Sequence, residues 1–168
     1  LCDRWGDGGW CLENARLQID ASDPAGGVIT ISGSAAGTPF TCGANCILEL
    51  AEGLGTATYT VASSSGRSVS GSLAFAFDPT APQVVLQVAG TPGLDDWFIS
   101  PVSAQALGSD GTSGVAAQEI SGDNGLTWWP SLNHDDQGVH NVLLRARDQA
   151  GNVRLVKETV RVDWTAPE

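Results

Sequence analysis

The stretch that decides the fold is GVHNVLLRARDQAGNV, residues 138–153. Val142, Leu144 and Ala146 fall on one face of an extended chain, and Asn141, Leu143, Arg145 and Arg147 on the other. A repeat of two is the signature of a strand with one face buried, because successive side chains point to opposite sides of a sheet. The run breaks at DQAGN, where Asp148 and Asn152 can hydrogen-bond their own backbone and Gly151 can adopt a left-handed conformation. The sequence VRLVKETVRVD follows as a returning strand. Its apolar parity changes between Leu155 and Val160, so a bulge is expected there.

Outward from this hairpin the pattern repeats. VAAQEIS turns at GDNG into LTWWPSL, a second hairpin signal, because an Asn-Gly pair suits a two-residue turn. SPVSAQAL puts Val102, Ala104 and Ala106 on one face, and QVVLQVAG opens the series. With 21 Gly and 8 Pro in 168 residues, no segment sustains a helical apolar stripe. The expectation is an all-β chain of short strands with turns about every ten residues, a β-sandwich of immunoglobulin (Ig) type.

A second copy precedes the first. Trp10 and Trp97, and Asp23 and Asp110, stand 87 positions apart. Gly53 and Gly138, Tyr59 and Leu144, and Gly66 and Gly151 stand 85 apart. The phrase DPTAP, with Asp78 and Pro82, returns at the same interval of 85 as DWTAP, with Asp163 and Pro167. Such a period exceeds that of solenoid repeats and equals one small sandwich. Two tandem Ig-like domains are therefore expected, at 1–79 and 80–165, with 166–168 opening a following domain or linker. In the earlier copy Leu17, Ile19 and Ala21, then Ala57, Tyr59 and Val61, are expected in the core.

DGTSGVAAQEISGDNGLTWWP, then GVHNVLLRARDQAGNV and VDWTAP, resembles the bacterial Ig-like tandem repeats of surface proteins. Their pattern combines D-x-x-S-G-V, D-G-G-x-x-W, D-x-A-G-N and D-x-T-A-P. The resemblance covers residues 78–167 well. In residues 1–77 only the framework remains, since SSSGR at 63–67 replaces D-x-A-G-N. The resemblance implies tandem sandwiches in adhesive or spacer roles without catalysis, with neighbouring Ig-like domains of the same chain as partners.

Composition narrows the function further. Nineteen acidic against 8 basic residues give a net charge of -11, which repels nucleic acid and anionic membranes. No apolar run is long enough to span a bilayer, so membrane insertion is not expected. A chain without Met is expected to be a portion of a longer one, with Leu1 at a processing boundary. Cys2, Cys11, Cys42 and Cys46 form an even set near the N-terminus, which suits an extracellular, secreted or cell-surface setting. Three pairings exist; Cys2 with Cys11 and Cys42 with Cys46 are favoured because each closes a local loop. Their spacing lacks the close knuckles of a zinc site.

Among the six Trp, Trp10, Trp97 and Trp128 fit packing positions. Trp5, Trp129 and Trp164 are the candidates for stacking on a glycan or another ligand. Asp95, Asp96, Asp110, Asp123, Asp135 and Asp136 crowd the turns and are the calcium candidates, although EF-hand spacing is absent. Asp148 and Asn152 read as turn builders, and Asp78 and Asp163 as joint residues. No other cofactor is expected. His134 and His140 are the only histidines, and without a nucleophile elbow they suggest no catalysis. Lys157, the only Lys, has no acidic partner for a crosslink that the sequence can place, and Arg145, Arg147, Arg154 and Arg161 are expected on a solvated strand face.

The function expected is a spacer and interaction array, adhesive toward a glycan, a host or cell-surface protein, or itself. The alternatives are a structural subunit of an extracellular filament or sheath and an accessory module of a surface hydrolase.

Overall fold

The structure, a computed structural model, describes residues 1–166; Pro167, expected as a joint residue, and Glu168 lie outside them. The chain divides into two compact units, Leu1–Thr80 and Ala81–Glu168.

Unit 1 contains β1 (Arg4–Trp5), a 3-10 turn (Asp7–Gly9), β2 (Cys11–Glu13), β3 (Arg16–Asp20), β4 (Ile29–Ala35), β5 (Thr38–Cys42), β6 (Asn45–Glu49), β7 (Gly53–Ser63) and β8 (Ser68–Phe77). One sheet runs β1-β2-β8-β7-β4-β5, and β3 pairs with β6 in the other. Leu17 and Ile19 from the small sheet pack with Ile31 and Ala57 from the large one. Ala21, Tyr59 and Val61 lie partly buried against this core.

Unit 2 contains β9 (Gln83–Ala89), β10 (Trp97–Phe98), β11 (Val102–Ser109), β12 (Val115–Ser121), β13 (Leu132–His134), β14 (Gly138–Asp148) and β15 (Val153–Val162). Its sheets run β10-β15-β14-β12 and β13-β11-β9. Between them lie the two alternating sets, Val102, Ala104 and Ala106 from β11 and Val142, Leu144 and Ala146 from β14. Each large aliphatic side chain sealed here contributes roughly 1.5–3 kcal/mol. The architecture is all-β, with each unit an Ig-like sandwich.

The duplication extends to individual hydrogen bonds. Strands β7 and β14 each have 11 residues, and β8 and β15 each have 10. Short parallel contacts recur as Cys11 with Phe77 and Phe98 with Val162. The joint recurs as well: Asp78 N donates to Cys11 O at 2.9 Å, and Asp163 N to Phe98 O at 2.8 Å. Each joint then turns on its own carboxylate, with Thr80 N donating to Asp78 Oδ1 at 3.1 Å and Thr165 N to Asp163 Oδ1 at 3.0 Å.

The structure corrects two sequence expectations. Strand β15 has no bulge: it pairs with β14 without interruption from Val153 to Val162, and Val153 and Leu155 point to solvent. The change of apolar parity therefore reflects exposed aliphatic residues rather than an inserted one. LTWWPSL does not return as a full strand. Ile120 and Trp129 exchange two hydrogen bonds, of 2.8 and 2.9 Å, and the chain then crosses to pair β13 with β11 in the other sheet. The Asn-Gly turn itself is as expected, with left-handed φ of 59° at Asn124 and 89° at Gly125.

The β14–β15 turn is built on a buried charge. Asp148 is fully buried, and its Oδ1 accepts from the main-chain N–H groups of Gly151 (2.7 Å) and Asn152 (2.8 Å). Its Oδ2 accepts from Asn152 Nδ2 at 3.0 Å. Replacing Asp148 by Ala removes the carboxylate that receives these three bonds, at a cost of roughly 3 kcal/mol. Urea unfolding of the Asp148→Ala variant is expected to show that loss in unit 2; an unchanged midpoint would contradict this account of the turn.

Candidate functional site

The signature turns of unit 2 meet at one end of its sandwich. Asp110 Oδ1 accepts from the N–H groups of Thr112, Ser113 and Gly114 at 3.1, 2.9 and 2.8 Å. Gln149 N donates to Gly114 O (2.9 Å) and Ala150 N to Ser113 Oγ (3.2 Å), which ties the D-x-x-S-G-V turn to the D-x-A-G-N turn. Carboxylate oxygens of Asp110 and Asp148 come within 4.8 Å of one another. Both carboxylates are thus engaged by donors of their own turns, an arrangement that shapes loops.

Unit 1 solves the same problem with different residues. Ser63 N donates to Arg67 O at 2.9 Å, as Asp148 N does to Asn152 O at 3.1 Å. The turn's charge comes from the opposite loop instead: Asp23 accepts from Ser63 Oγ, from Ser65 Oγ at 3.0 Å and from Ala25 N at 2.8 Å. The Ser63 hydroxyl and the Ala25 N–H hold the Asp23 carboxyl below its ordinary pKa. SSSGR therefore preserves the turn while moving its charge across the loop pair.

The other calcium candidates are dispersed. Asp95 and Asp96 take left-handed φ of 52° and 61° in a tight loop, where Trp97 N donates to Leu94 O at 3.0 Å. Asp123 accepts from Thr127 Oγ1 (2.6 Å), Thr127 N (2.9 Å) and Ser121 Oγ (2.7 Å). None of Asp95, Asp96, Asp123 and Asp135 belongs to a cluster of three metal-ligating groups among the described residues. Asp136 does, with His134 and His140. The two imidazoles stack with centroids 4.2 Å apart, and His134 Nε2 is buried without a hydrogen-bond partner. Burial, and then the neighbouring His140, lower the His134 pKa and favour its neutral form. The sequence reading missed this grouping. Its one signal was H-D-D-Q-G-V-H, two histidines on either side of an acidic turn.

The candidate aromatics separate as well. Trp5 is 66% exposed, Trp129 54% and Trp164 39%. Trp5 borders an apolar cleft of about 480 Å³ with Leu1, Leu50, Leu54, Leu73 and Phe75. Trp164 N donates to Gln137 Oε1 at 2.9 Å, which fixes the joint to the loop before β14. Trp128 carries the Arg145 guanidinium 4.1 Å from its ring centroid, and Arg145 Nε donates to Glu119 at 3.0 Å. Arg145 is therefore half-buried in a stack, which corrects the expectation of a wholly solvated arginine face. The cysteines form Cys2–Cys11 and Cys42–Cys46, each with Cα atoms 5.7 Å apart.

No protein-family description and no curated protein matches the sequence. Among solved structures the chain is similar to the fibronectin(III)-like modules of Clostridium thermocellum CbhA, covering 95% of this chain and 90% of that one at 12% identity. With a TM-score of 0.39, that likeness is too loose to carry an argument.

The Asp123 turn predicts a measurable titration. Hydrogen bonds from Thr127 and then Ser121 lower its pKa from 3.8 to about 2. A depressed carboxylate pKa adds stability above its unfolded value and loses it as pH falls through the folded one. The Asp123 contribution is therefore present above about pH 4 and lost toward pH 2. Carboxyl NMR titration is expected to place the Asp123 midpoint near 2. A midpoint at or above 3.8 would contradict these bonds.

Proposed function

We propose that the two units are non-catalytic Ig-like repeats of a longer extracellular protein, serving as a spacer and interaction array. The observation that carries this reading is the joint. Asp78 and Asp163 end their sandwiches in the same way, by a main-chain bond to the short parallel strand and a carboxylate turn onto Thr80 or Thr165. A closing device used twice at the same interval is what an array needs to keep its reach and direction.

Other features support the reading. The signature polar residues Asp110, Asp123, Asp148 and Asn152 are engaged within their own turns. Two disulfides suit an oxidising compartment. The resemblance of residues 78–167 to bacterial Ig-like surface repeats points to the same role.

A specific observation favours a second reading, self-association into a filament or sheath. Strand β3 pairs along one edge with β6, while on its other side Leu1 exchanges hydrogen bonds with Arg16 and the apolar cleft opens beside them. An edge of this kind accepts an added strand. Ordered assembly that is lost on Leu73→Asp would support this reading, and a monomer at all concentrations would remove it.

The spacer reading is tested by pulling the chain from both ends. Two separate unfolding events are expected, each releasing roughly 300 Å of chain. Reducing the disulfides should lengthen one event by about 35 Å and leave the other unchanged, because both bridges lie in unit 1. A single event for the whole chain, or hydrolytic activity lost on His134→Ala, would overturn the proposal.

A further inference from the structure

We propose that unit 1 accepts one further β-strand, antiparallel to β3, which the joint of a neighbouring module delivers. The inference rests on the array reading above. At the interval of 87 that relates Trp10 to Trp97, Leu17 and Ile19 of β3 correspond to Ala104 and Ala106 of β11. Strand β11 is paired on both sides, with β13 and with β9. Strand β3 pairs with β6 alone in a two-stranded sheet, so its other edge is free.

The place of β9 is marked at one point. The Leu1 amine donates to Arg16 O at 2.6 Å, and Arg16 N donates to Leu1 O at 2.8 Å. In unit 2 the last residue of β9, Ala89, stands opposite Ser103, which is 87 positions after Arg16. The alternation of an antiparallel ladder turns the N–H and C=O groups of Gln18 and Asp20 to the same side as those of Arg16. Both residues are exposed, and a row of such groups is a template for another strand. Unit 1 does not need that strand to seal its core, since Leu17 and Ile19 are already buried.

The groove beside the edge sets the chemistry of the strand. Val69 and Leu73 stand opposite Val61 and Ala57, on the core face of β8, yet they are 63% and 48% exposed. The corresponding positions of unit 2, 85 residues later, are Arg154 and Glu158. Unit 2 therefore keeps charge at a groove left to water, whereas unit 1 presents aliphatic side chains that favour a cover. Register fixes which residues of the strand supply it. In unit 2 Val88, Leu86 and Val84 stand opposite Ala104, Ala106 and Gly108 and pack into the core. The same register continued from Leu1 sets three inward residues opposite Leu17, Ile19 and Ala21. The strand that fits is extended, with an apolar residue at every second position.

The joint identifies the source. DPTAP, at 78–82, runs directly into β9 at Gln83, so unit 2 receives its first strand straight from a joint. A neighbouring module ending in the same way would deliver a strand already held at one end, which lowers the cost of ordering it.

The test extends the whole chain ahead of Leu1 by Gln-Val-Val-Leu-Gln-Val, the sequence of residues 83–88, and follows amide hydrogen exchange by NMR. The Gln18 and Asp20 amides are expected to exchange about tenfold or more slowly than in the parent chain. An extension with Asp at the three inward positions, Gln-Asp-Val-Asp-Gln-Asp, should leave both amides at parental rates. Parental rates with the first extension, or equal protection by both extensions, would overturn the proposal. So would protection in the parent that grows with chain concentration, which would give the edge to a second copy. The array reading fails separately, by a single unfolding event under force in the chain without any extension.

Discussion

Asp148 is fully buried, and its carboxylate faces the N–H groups of Gly151 and Asn152 and the side-chain amide of Asn152. Burying a charge without such donors would cost more than the turn could recover. This constraint organises unit 2. It sets the return of β14 into β15, the two central strands of the four-stranded sheet. It also fixes Gln149 and Ala150, whose N–H groups hold the neighbouring turn through Gly114 and Ser113. Side chains from both sheets then pack on a frame whose end is already closed.

Unit 1 meets the same constraint with a neutral residue at the corresponding position. Ser63 stands where Asp148 does, and the negative charge comes from Asp23 in the facing loop. Gly66 and Gly151 keep left-handed φ of 88° and 102°. The turn geometry is therefore held by backbone shape and by one carboxylate, whichever loop supplies it. This explains how the two copies remain alike while the motif residues diverge.

The period of two made β14 legible, because from Val142 to Asp148 one face of that strand is buried and the other exposed or half-buried. The joint and its interval of 85 were legible because each Asp and Thr forms a local bond. Strand β15 was harder to read, since Val153 and Leu155 are apolar yet exposed, and exposure is decided by what lies across the sheet. The crossing from Trp129 to β13 was invisible for a similar reason, as pairing with β11 depends on residues about thirty positions earlier. The histidine pair lay beyond sequence reasoning because its members belong to opposite sheets and meet only when the loop 135–137 folds back. Arg145 looked solvated until Trp128 and Glu119 arrived from another strand and a turn.

The central claim is that each repeat is a complete folding module anchored by a turn held on one carboxylate, Asp23 in unit 1 and the buried Asp148 in unit 2. The most direct measurement is an amide NMR spectrum, with hydrogen exchange, of residues 78–168 alone, a fragment that retains the joint bond from Thr80 to Asp78. The account predicts dispersed signals that overlay those of the same residues in the whole chain, with the Gly151 and Asn152 amides among the slowest to exchange. A collapsed spectrum, or rapid exchange at those two amides in a folded fragment, would contradict it.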